Sequence, residues 1–221
     1  MPRPTPLLLL AASGLAREVL AVTRLTAATE VLGVLDDDVD LRGTTLDGVP
    51  VLGGVEEVKR YPTASLLLCM GRGSGRERLA ERLSTVGVDD DRYFTLVHPD
   101  VRVSPGCMVG TGSILLAGVV LTAGVRVGRH VVVMPNATLT HDDVVEDFVT
   151  LASGVSLGGG VRVGRAAYVG MNASVRERVM VGVRATLGMG AALLTDLPDG
   201  ETWAGVPARP LDQRPTRPGE V

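Results

Sequence analysis

A six-residue repeat dominates the second half of this 221-residue chain. Every sixth position is Val or Leu, sixteen times without interruption: Val103, Val109, Leu115, Leu121, Val127, Val133, Leu139, Val145, Leu151, Leu157, Val163, Val169, Val175, Val181, Leu187 and Leu193. A period of six matches neither the 3.6-residue period of a helix nor the two-residue period of a strand. It is typical of a solenoid of short strands and turns, in which one aliphatic side chain per strand fills a narrow interior.

A second register supports the same interpretation. Four residues after each of the first fifteen repeat positions, the side chain is Ala, Val or Ser, except at Cys107 and Asp143. If three units form one triangular coil, each residue stacks on the residue 18 positions later. Arg129, Asp147 and Arg165 then form a column of alternating charge, which predicts a solvated salt-bridge ladder of little stability. Exposed solenoid faces need cover, so we expect an oligomer.

Residues 1–96 show a different pattern, in which strand and helix signals alternate. Short apolar runs predict strands at Leu7–Leu10, Val31–Leu35 and Ser65–Met70. Helices are predicted from the inward series Leu15, Val19, Val22 and Leu25, at Val55–Tyr61 and over Ser74–Val86. This alternation indicates a small parallel sheet of Rossmann type. We therefore expect an α/β domain over residues 1–96, a repeat domain over 97–212 and a disordered tail over 213–221, which is rich in Pro and charge.

Composition limits the partners and the location. A net charge of −3 with 45% hydrophobic residues describes a soluble globular protein and gives no footprint for nucleic acid. No segment approaches the length of a membrane span, and the run Leu7–Leu10 is shorter than the apolar core of a signal peptide. Cys69 and Cys107 fit small buried thiols of a reducing compartment, so we expect a cytoplasmic protein.

Few residues are available for chemistry, and the histidines are the most informative. There are three, and their separations do not match the 18-residue column spacing: His98, His130 and His141. A metal site within one protomer is therefore not expected. His141 falls at a predicted coil turn and precedes two acidic residues, Asp142 and Asp143. A neighbouring carboxylate can orient an imidazole and suits it to act as a general base. The alternative is a surface turn without a role, and the residues alone leave both open.

Several motifs together resemble those of a known family. They are the repeats, Thr140-His141-Asp142, the stretch 157–161 (Leu-Gly-Gly-Gly-Val), the ending Ala204–Ala208, the turn Ala12-Ser13-Gly14 and the strand end Leu35-Asp36-Asp37. The combination, over about residues 6–211, resembles the left-handed β-helix acyltransferases, in particular their sugar-modifying branch. That branch contains the sialic acid O-acetyltransferases and the PglD-like UDP-4-amino-sugar N-acetyltransferases. The resemblance implies a left-handed parallel β-helix, a hand that the period itself cannot determine.

The resemblance also implies roles for residues of the repeat domain. The histidine at position 141 is the family's general base, the acid at 142 tunes it, and the N–H of Gly159 is the oxyanion donor. Acetyl-CoA is the co-substrate and lies between two protomers of a homotrimer, against Thr150, Gly159, Met171 and Met189. Thr150 stands where the family often has histidine, and Met189 where it often has glycine. Arg184 and Arg209 are candidates for the CoA phosphates, with ordinary surface charge as the alternative.

The N-terminal domain offers a second site, because a turn between a strand end and a helix N-terminus suits a nucleotide phosphate. By resemblance, the turn that binds the sugar nucleotide is Ser13, Gly14 and Leu15; Asp36 and Asp37 lie near the uridine, and Gly71 lines the same cleft. Leu15 replaces a common histidine, and Ala11 a common glycine. A dinucleotide cofactor is the rival interpretation, but the three-glycine fingerprint is absent.

These features predict an acetyl-CoA-dependent acetyltransferase acting on a nucleotide-linked amino sugar or a related sugar. Transfer is expected to be direct, with a histidine base and no metal. One alternative is an acetyltransferase of an amino acid or another small metabolite. A second is a non-catalytic solenoid that binds nucleotide sugars or partner proteins.

Overall fold

The computed structural model describes residues 4–26 and 28–211 of the chain. Two regions pack against each other: an α/β region and a long coil of short strands. The tail expected over 213–221 lies outside the described residues. Within these residues, no helix is both long and apolar enough to cross a membrane.

The N-terminal region is a five-stranded sheet with two helices. Its strands are β1 (Thr5–Leu10), β2 (Thr29–Leu35), β3 (Thr45–Leu46), β4 (Val49–Gly53) and β5 (Ser65–Leu68), and its helices are α1 (Gly14–Thr26) and α2 (Gly73–Ser84). The strand order is β3-β4-β2-β1-β5; β1, β2, β4 and β5 are parallel, and β3 is antiparallel to β4. The predicted Rossmann-type sheet is therefore confirmed.

Details of this region differ from the sequence-based expectation. The hairpin of β3 and β4 is not predicted by the sequence pattern, because β3 has only two residues and β4 contains Pro50 and ends at Gly53. The helix expected at 55–61 is a 3₁₀ helix, Val55–Arg60, and two more 3₁₀ helices cover Val39–Leu41 and Asp90–Arg92. Leu25 is 68% exposed. Two successive three-residue steps carry it roughly 120° around the helix from Val19, off the buried face.

The repeat region is a triangular coil with three faces. Its two- and three-residue strands are β6 (Leu96–Val97), β7 (Arg102–Val103), β8 (Met108–Val109), β9 (Ile114–Leu115), β10 (Val120–Leu121), β11 (Arg126–Val127), β12 (Val132–Val133), β13 (Thr138–Leu139), β14 (Val144–Val145), β15 (Thr150–Leu151), β16 (Ser156–Leu157), β17 (Arg162–Val163), β18 (Tyr168–Val169), β19 (Ser174–Val175), β20 (Met180–Val181), β21 (Thr186–Leu187), β22 (Ala192–Leu193), β23 (Thr202–Ala204) and β24 (Arg209–Pro210). The first strand straddles the boundary expected between residues 96 and 97.

Three sheets make the faces of this coil, and their strands are parallel except for β24, which is antiparallel to β23. Face 1 contains β6, β9, β12, β15, β18, β21, β23 and β24; face 2 contains β7, β10, β13, β16, β19 and β22; face 3 contains β8, β11, β14, β17 and β20. From β6 to β22, strands pair with the strand 18 residues later, as in Leu121↔Leu139 and Leu139↔Leu157, which confirms the predicted coil length; the last parallel pairing, Leu187↔Trp203, is 16 residues apart. The repeat aliphatics are buried from Leu115 onward, whereas Val103 is 42% exposed because the first coil has a neighbour on one side only.

The corners have the same backbone conformation from coil to coil. Every sixth residue from Gly106 to Gly190 has a positive φ, which turns the chain from one face to the next. Glycine fills many of these positions because it adopts this conformation without steric cost, but Asp142 and Phe148 adopt it with φ of 63° and 62°. His141 therefore directly precedes a left-handed residue, which projects its ring from the corner between faces 2 and 3.

The N-terminal region packs on face 1, and one arginine ties the two regions together. Arg76 of α2 is fully buried. Its guanidinium donates to six oxygens, none of them a carboxylate: the carbonyls of Met70, Gly71, His130, Phe148 and Val149, and the Thr150 hydroxyl, at 2.6–3.1 Å. Nearby, the predicted charge column exists: Asp147 contacts Arg129 at 3.3 Å and Arg165 at 3.4 Å.

A buried histidine lies at the same junction. The His130 ring is 3% exposed, stacks on Phe148 at 5.0 Å and meets the edge of Tyr93 at 4.5 Å. Its Nδ1 has no hydrogen-bond partner. Burial, together with the nearby Arg129 and Arg76 charges, lowers the pKa of His130 from 6.5 to about 4. The folded protein therefore holds this imidazole neutral where the unfolded chain would protonate it.

We expect His130 to destabilise the protein as pH falls. Between pH 6.5 and 4 the unfolded chain binds a proton that the folded state refuses, so the free energy of unfolding decreases by up to about 3 kcal/mol. The variant His130→Phe lacks this contribution, and Phe148 shows that the same left-handed turn position accepts phenylalanine. The measurement is denaturant unfolding of both proteins at several pH values. An equal pH dependence in the two would contradict the prediction; other groups, including Asp143, cancel in the difference.

Candidate active site

His141 and Asp142 form a hydrogen-bonded pair on an exposed corner. They lie between β13 and β14, and His141 Nδ1 is 2.9 Å from Asp142 Oδ2. The two side chains are 66% and 76% exposed, so the imidazole is open to an incoming molecule. A carboxylate at Nδ1 favours the tautomer with the proton on that nitrogen, which leaves Nε2 as the basic atom.

Gly159 lies directly against that imidazole, one coil further along. A Cβ on Gly159 would come within 2.2 Å of His141 Nε2, so any side chain there would displace the ring. The Gly160 N–H donates to His141 O at 2.8 Å, which holds the two turns in register. Within the described part of the chain, no acceptor receives the Gly159 N–H. A basic nitrogen and an available N–H donor are thus neighbours, as general-base acyl transfer needs.

Asp143 is the buried acid beneath this turn. Its side chain is fully buried and accepts hydrogen bonds from Thr140 N at 2.7 Å and Val161 N at 2.8 Å. Burial raises the pKa of Asp143 to about 6, although the two N–H donors and His141 act in the opposite direction. The sequence predicts that a carboxylate here is costly unless it is paired or near solvent; backbone amides supply the pairing.

A cavity of about 550 Å³ separates the N-terminal region from the corner between faces 1 and 2. Five of the residues assigned from sequence line it: Gly14, Leu15, Gly71, Thr150 and Met171. The N-terminus of α1 opens onto it and is capped by Ser13, whose Oγ accepts from Ala16 N at 3.2 Å. A helix N-terminus of this kind favours an anionic group.

A smaller cavity of about 150 Å³ lies at the carboxyl ends of β1 and β2 and includes Asp36 and Asp37. Both carboxylates also have structural partners. Asp36 accepts from Ala12 N at 2.7 Å and Asp38 N at 2.9 Å, and Asp37 accepts from Val55 N at 2.9 Å. The pKa of Asp37 is below its usual value. The hydrogen bond from Arg82 has the larger effect, and the hydrogen bond from Val55 N adds to it.

The residues assigned to the co-substrate occupy varied environments. The Thr150 side chain is buried, and its hydroxyl donates to Gly71 O at 2.8 Å. Met171 and Met189 are exposed, at 47% and 72%, in one column along the corner between faces 1 and 2. Arg184 is paired with Glu77 at 2.8 Å, and Arg209 donates to Ala208 O.

One chain does not bring all these residues together. His141, Asp142 and Gly159 lie at the corner between faces 2 and 3, and they line neither cavity. The described residues also contain no group of three or more His, Cys, Asp or Glu side chains arranged to hold a metal ion.

Two residues with evident roles at these sites are not among the sequence-based assignments. For Arg76, the sequence signal is its spacing from Leu79 and Leu83, which places it on the buried stripe of α2. Asp143 is a charged exception in the repeat, but its backbone partners depend on the next coil.

Solved structures similar to this chain include proteins bound to coenzyme A or acetyl coenzyme A. The acetyltransferase domain of PglB from Neisseria gonorrhoeae FA1090, in complex with acetyl coenzyme A, is 30% identical over 94% of this chain and 100% of that chain, with a TM-score of 0.85. PerB from Caulobacter crescentus, in complex with CoA and GDP-perosamine, is 29% identical over 93% of this chain and 97% of that chain, with a TM-score of 0.81. WeeI from Acinetobacter baumannii AYE is 27% identical over 94% and 100%, with a TM-score of 0.82.

Comparison of sequences alone finds a partial match among the curated proteins and no family model. The UDP-N-acetylbacillosamine N-acetyltransferase of Bacillus subtilis (strain 168) is 38% identical over 61 residues. That match covers 27% of this chain and 27% of the relative, so the chain aligns with about a quarter of the relative's length. The likeness to PglB, over nearly the whole of both chains, determines the classification and with it the left hand of the coil. The chain belongs to the left-handed β-helix family of sugar N-acetyltransferases.

Proposed function

We propose that this protein transfers the acetyl group of acetyl-CoA to the amine of a nucleotide-linked amino sugar. The observation that carries the proposal is the His141–Asp142 pair lying against Gly159, whose N–H has no acceptor among the described residues. The relatives support the choice of reactants, because the PglB domain binds acetyl coenzyme A and PerB binds CoA and GDP-perosamine.

The chemistry is direct transfer by general-base catalysis. The acceptor amine attacks the thioester carbonyl while His141 Nε2 takes a proton from the nitrogen. The C–N bond forms, and negative charge develops on the carbonyl oxygen beside the Gly159 N–H. Collapse of this intermediate breaks the C–S bond, and the CoA thiolate leaves and takes up a proton from the imidazolium. Asp142 keeps the ring oriented through its hydrogen bond to Nδ1.

The two cavities suit the acceptor. We assign the larger cavity to the sugar and phosphates, where Gly14, Leu15 and Gly71 form the rim at the N-terminus of α1, which Ser13 caps. The smaller cavity, with Asp36 and Asp37, is assigned to the nucleobase, because a carboxylate can accept hydrogen bonds from its N–H groups. The pantetheine arm of acetyl-CoA is assigned to the column of Met171 and Met189, beside Thr150 of the same protomer and Gly159 of a neighbouring protomer.

A homotrimer is part of the proposal, because the catalytic corner and the main cavity lie at different corners of one chain. Face 2 lies between them and presents small side chains outward, at Thr138, Ser156, Ser174 and Ala192. Small side chains allow close approach of a second copy. In a trimer, His141 of one protomer serves the cavity of its neighbour. A cytoplasmic location is also proposed, because acetyl-CoA is an intracellular metabolite.

We expect binding and turnover to respond to both reactants. A ligand at 100 times its Kd should add about 2.7 kcal/mol to the free energy of unfolding, which a thermal-shift panel of acyl-CoAs and nucleotide sugars would detect. Acetyl-CoA consumption should then depend on a nucleotide amino sugar. No shift with any CoA would contradict the proposal.

The rival functions give different results in the same panel. Acetyl transfer to an amino acid or other small amine, without binding of any nucleotide, would identify an acetyltransferase of small metabolites. A shift with nucleotide sugars, without consumption of acetyl-CoA, would identify a non-catalytic binding solenoid.

A further inference from the structure

Asp143 interrupts the regular hydrogen bonding of the coil beside His141. At the end of each neighbouring face 2 strand, the backbone N–H donates to a carbonyl of the next coil, as in Thr122 N→Leu139 O at 3.1 Å and Gly158 N→Val175 O at 2.9 Å. Thr140 N instead donates to Asp143 Oδ2 at 2.7 Å. The Thr140 hydroxyl takes its place and donates to Leu157 O at 3.0 Å.

The second oxygen of Asp143 alters the turn that carries Gly159. At the same corner one coil further, Val179 N closes its own turn on Arg176 O at 3.3 Å. The equivalent donor, Val161 N, is directed to Asp143 Oδ1 at 2.8 Å instead. One carboxylate therefore binds the residue before His141 with one oxygen and the residue after the Gly158–Gly160 turn with the other.

We propose that Asp143 is a positioning residue, which sets the His141 imidazole against the Gly159 N–H by bracketing both turns. The inference rests on the proposed function, since it concerns the geometry of the same transfer step. Nothing in the coil requires a carboxylate here. The corresponding side chains one coil before and one coil after are Val125 and Val161, both buried. Burial also raises the pKa of Asp143 to about 6, so its ionised form is disfavoured at this position.

The alternative is that Asp143 serves only to hold the coil together. The two roles differ in what Asp143→Val would do. Thr140 N has Leu157 O as an alternative acceptor, the type of bond that the other face 2 strand ends make. Val161 N has Gly158 O, in the way that Cys107 N and Val179 N close their own turns at this corner. The coil can therefore take a form without the carboxylate. A structural role predicts loss of stability. A positioning role predicts a stable protein with a misplaced base.

The test compares Asp143→Val with Ser113→Val. Ser113 has the same position in its repeat, is fully buried and accepts from Val131 N at 3.0 Å, but it lies at the corner between faces 3 and 1. We expect Asp143→Val to keep the melting temperature and both KM values of the wild type while kcat falls about 10- to 100-fold, the scale of a small misplacement. Ser113→Val should keep its kcat. Asp143→Asn should also lose kcat, because its NH₂ cannot accept an amide hydrogen.

An unchanged kcat in Asp143→Val would overturn the proposal. A loss of kcat accompanied by a melting temperature below that of the wild type would overturn it as well. The NMR chemical shift of the Gly159 amide gives a readout that does not need turnover. It should move in Asp143→Val and stay in place in Ser113→Val. If the wild type acetylates no nucleotide amino sugar, the proposed function is wrong, and the Gly159 amide shift still tests the positioning role of Asp143. If Asp143→Val is fully active, the positioning role is wrong and the proposed function stands.

Discussion

Replacement of His141 by alanine is expected to lower kcat by about 10²- to 10⁴-fold, the usual contribution of a general base. The ring is exposed and contacts the rest of the chain mainly through Asp142 and Gly159, so its removal should leave the fold intact. The KM for acetyl-CoA should change little, since the proposed role of His141 is proton transfer and the CoA arm is assigned to the column of Met171 and Met189. Steady-state kinetics with a thiol-detecting assay measure both parameters.

The matched control for His141→Ala is His130→Phe. It also removes one imidazole, but from the buried junction with Phe148 and Tyr93, away from the catalytic corner. At neutral pH that variant should retain its kcat. Full activity of His141→Ala in a correctly assembled protein would exclude His141 as the base, and equal losses in both variants would indicate a general effect on folding.

Replacement of Arg76 by methionine is expected to reduce the free energy of unfolding by about 3 kcal/mol or more. The guanidinium is the described donor to the carbonyls of Met70, His130 and Phe148, and a buried acceptor left without a donor costs about 1–3 kcal/mol. Relief of the buried charge offsets part of the loss: burial lowers the pKa of Arg76 to about 9. Methionine has a similar length, so loss of packing is small.

Denaturant unfolding of Arg76→Met should be compared with Arg78→Met. Arg78 lies on the exposed side of the same helix, so the same substitution there should change stability by less than about 0.5 kcal/mol. The Arg76 variant should also bind nucleotide sugar more weakly, because Arg76 fixes Gly71 at the rim of the larger cavity. Equal stability of the two variants would show that the six hydrogen bonds add nothing to the junction.

Much of the repeat domain could be predicted from the sequence. The 18-residue register, the interior aliphatics and the position of His141 at a corner all follow from spacing, because each coil contacts chiefly its neighbours. The placement of Gly159 beneath His141 follows from the same register, and the structure has that contact. In the N-terminal region, the parallel strands were predicted, but the β3–β4 hairpin was not, since its strands lack an apolar run.

The contacts that build the candidate sites could not be predicted in this way. Arg76 meets Phe148 and Thr150 across more than 70 positions of sequence, and no local period relates a helix of one region to a corner of the other. The larger cavity exists because the N-terminal region covers face 1 and leaves a gap at one corner.

Asp143 depends on both the sequence repeat and the packing of the coils. The six-residue period marks it as the one charged residue in a column of small and apolar side chains, and this follows from the sequence because side-chain period and burial are linked. Its hydrogen bonds to Thr140 and Val161 follow from the packing of one coil on the next, because only there do both amides face the carboxylate. Spacing along the chain fixes which side chain points inward, whereas three-dimensional packing determines which groups that side chain holds in place.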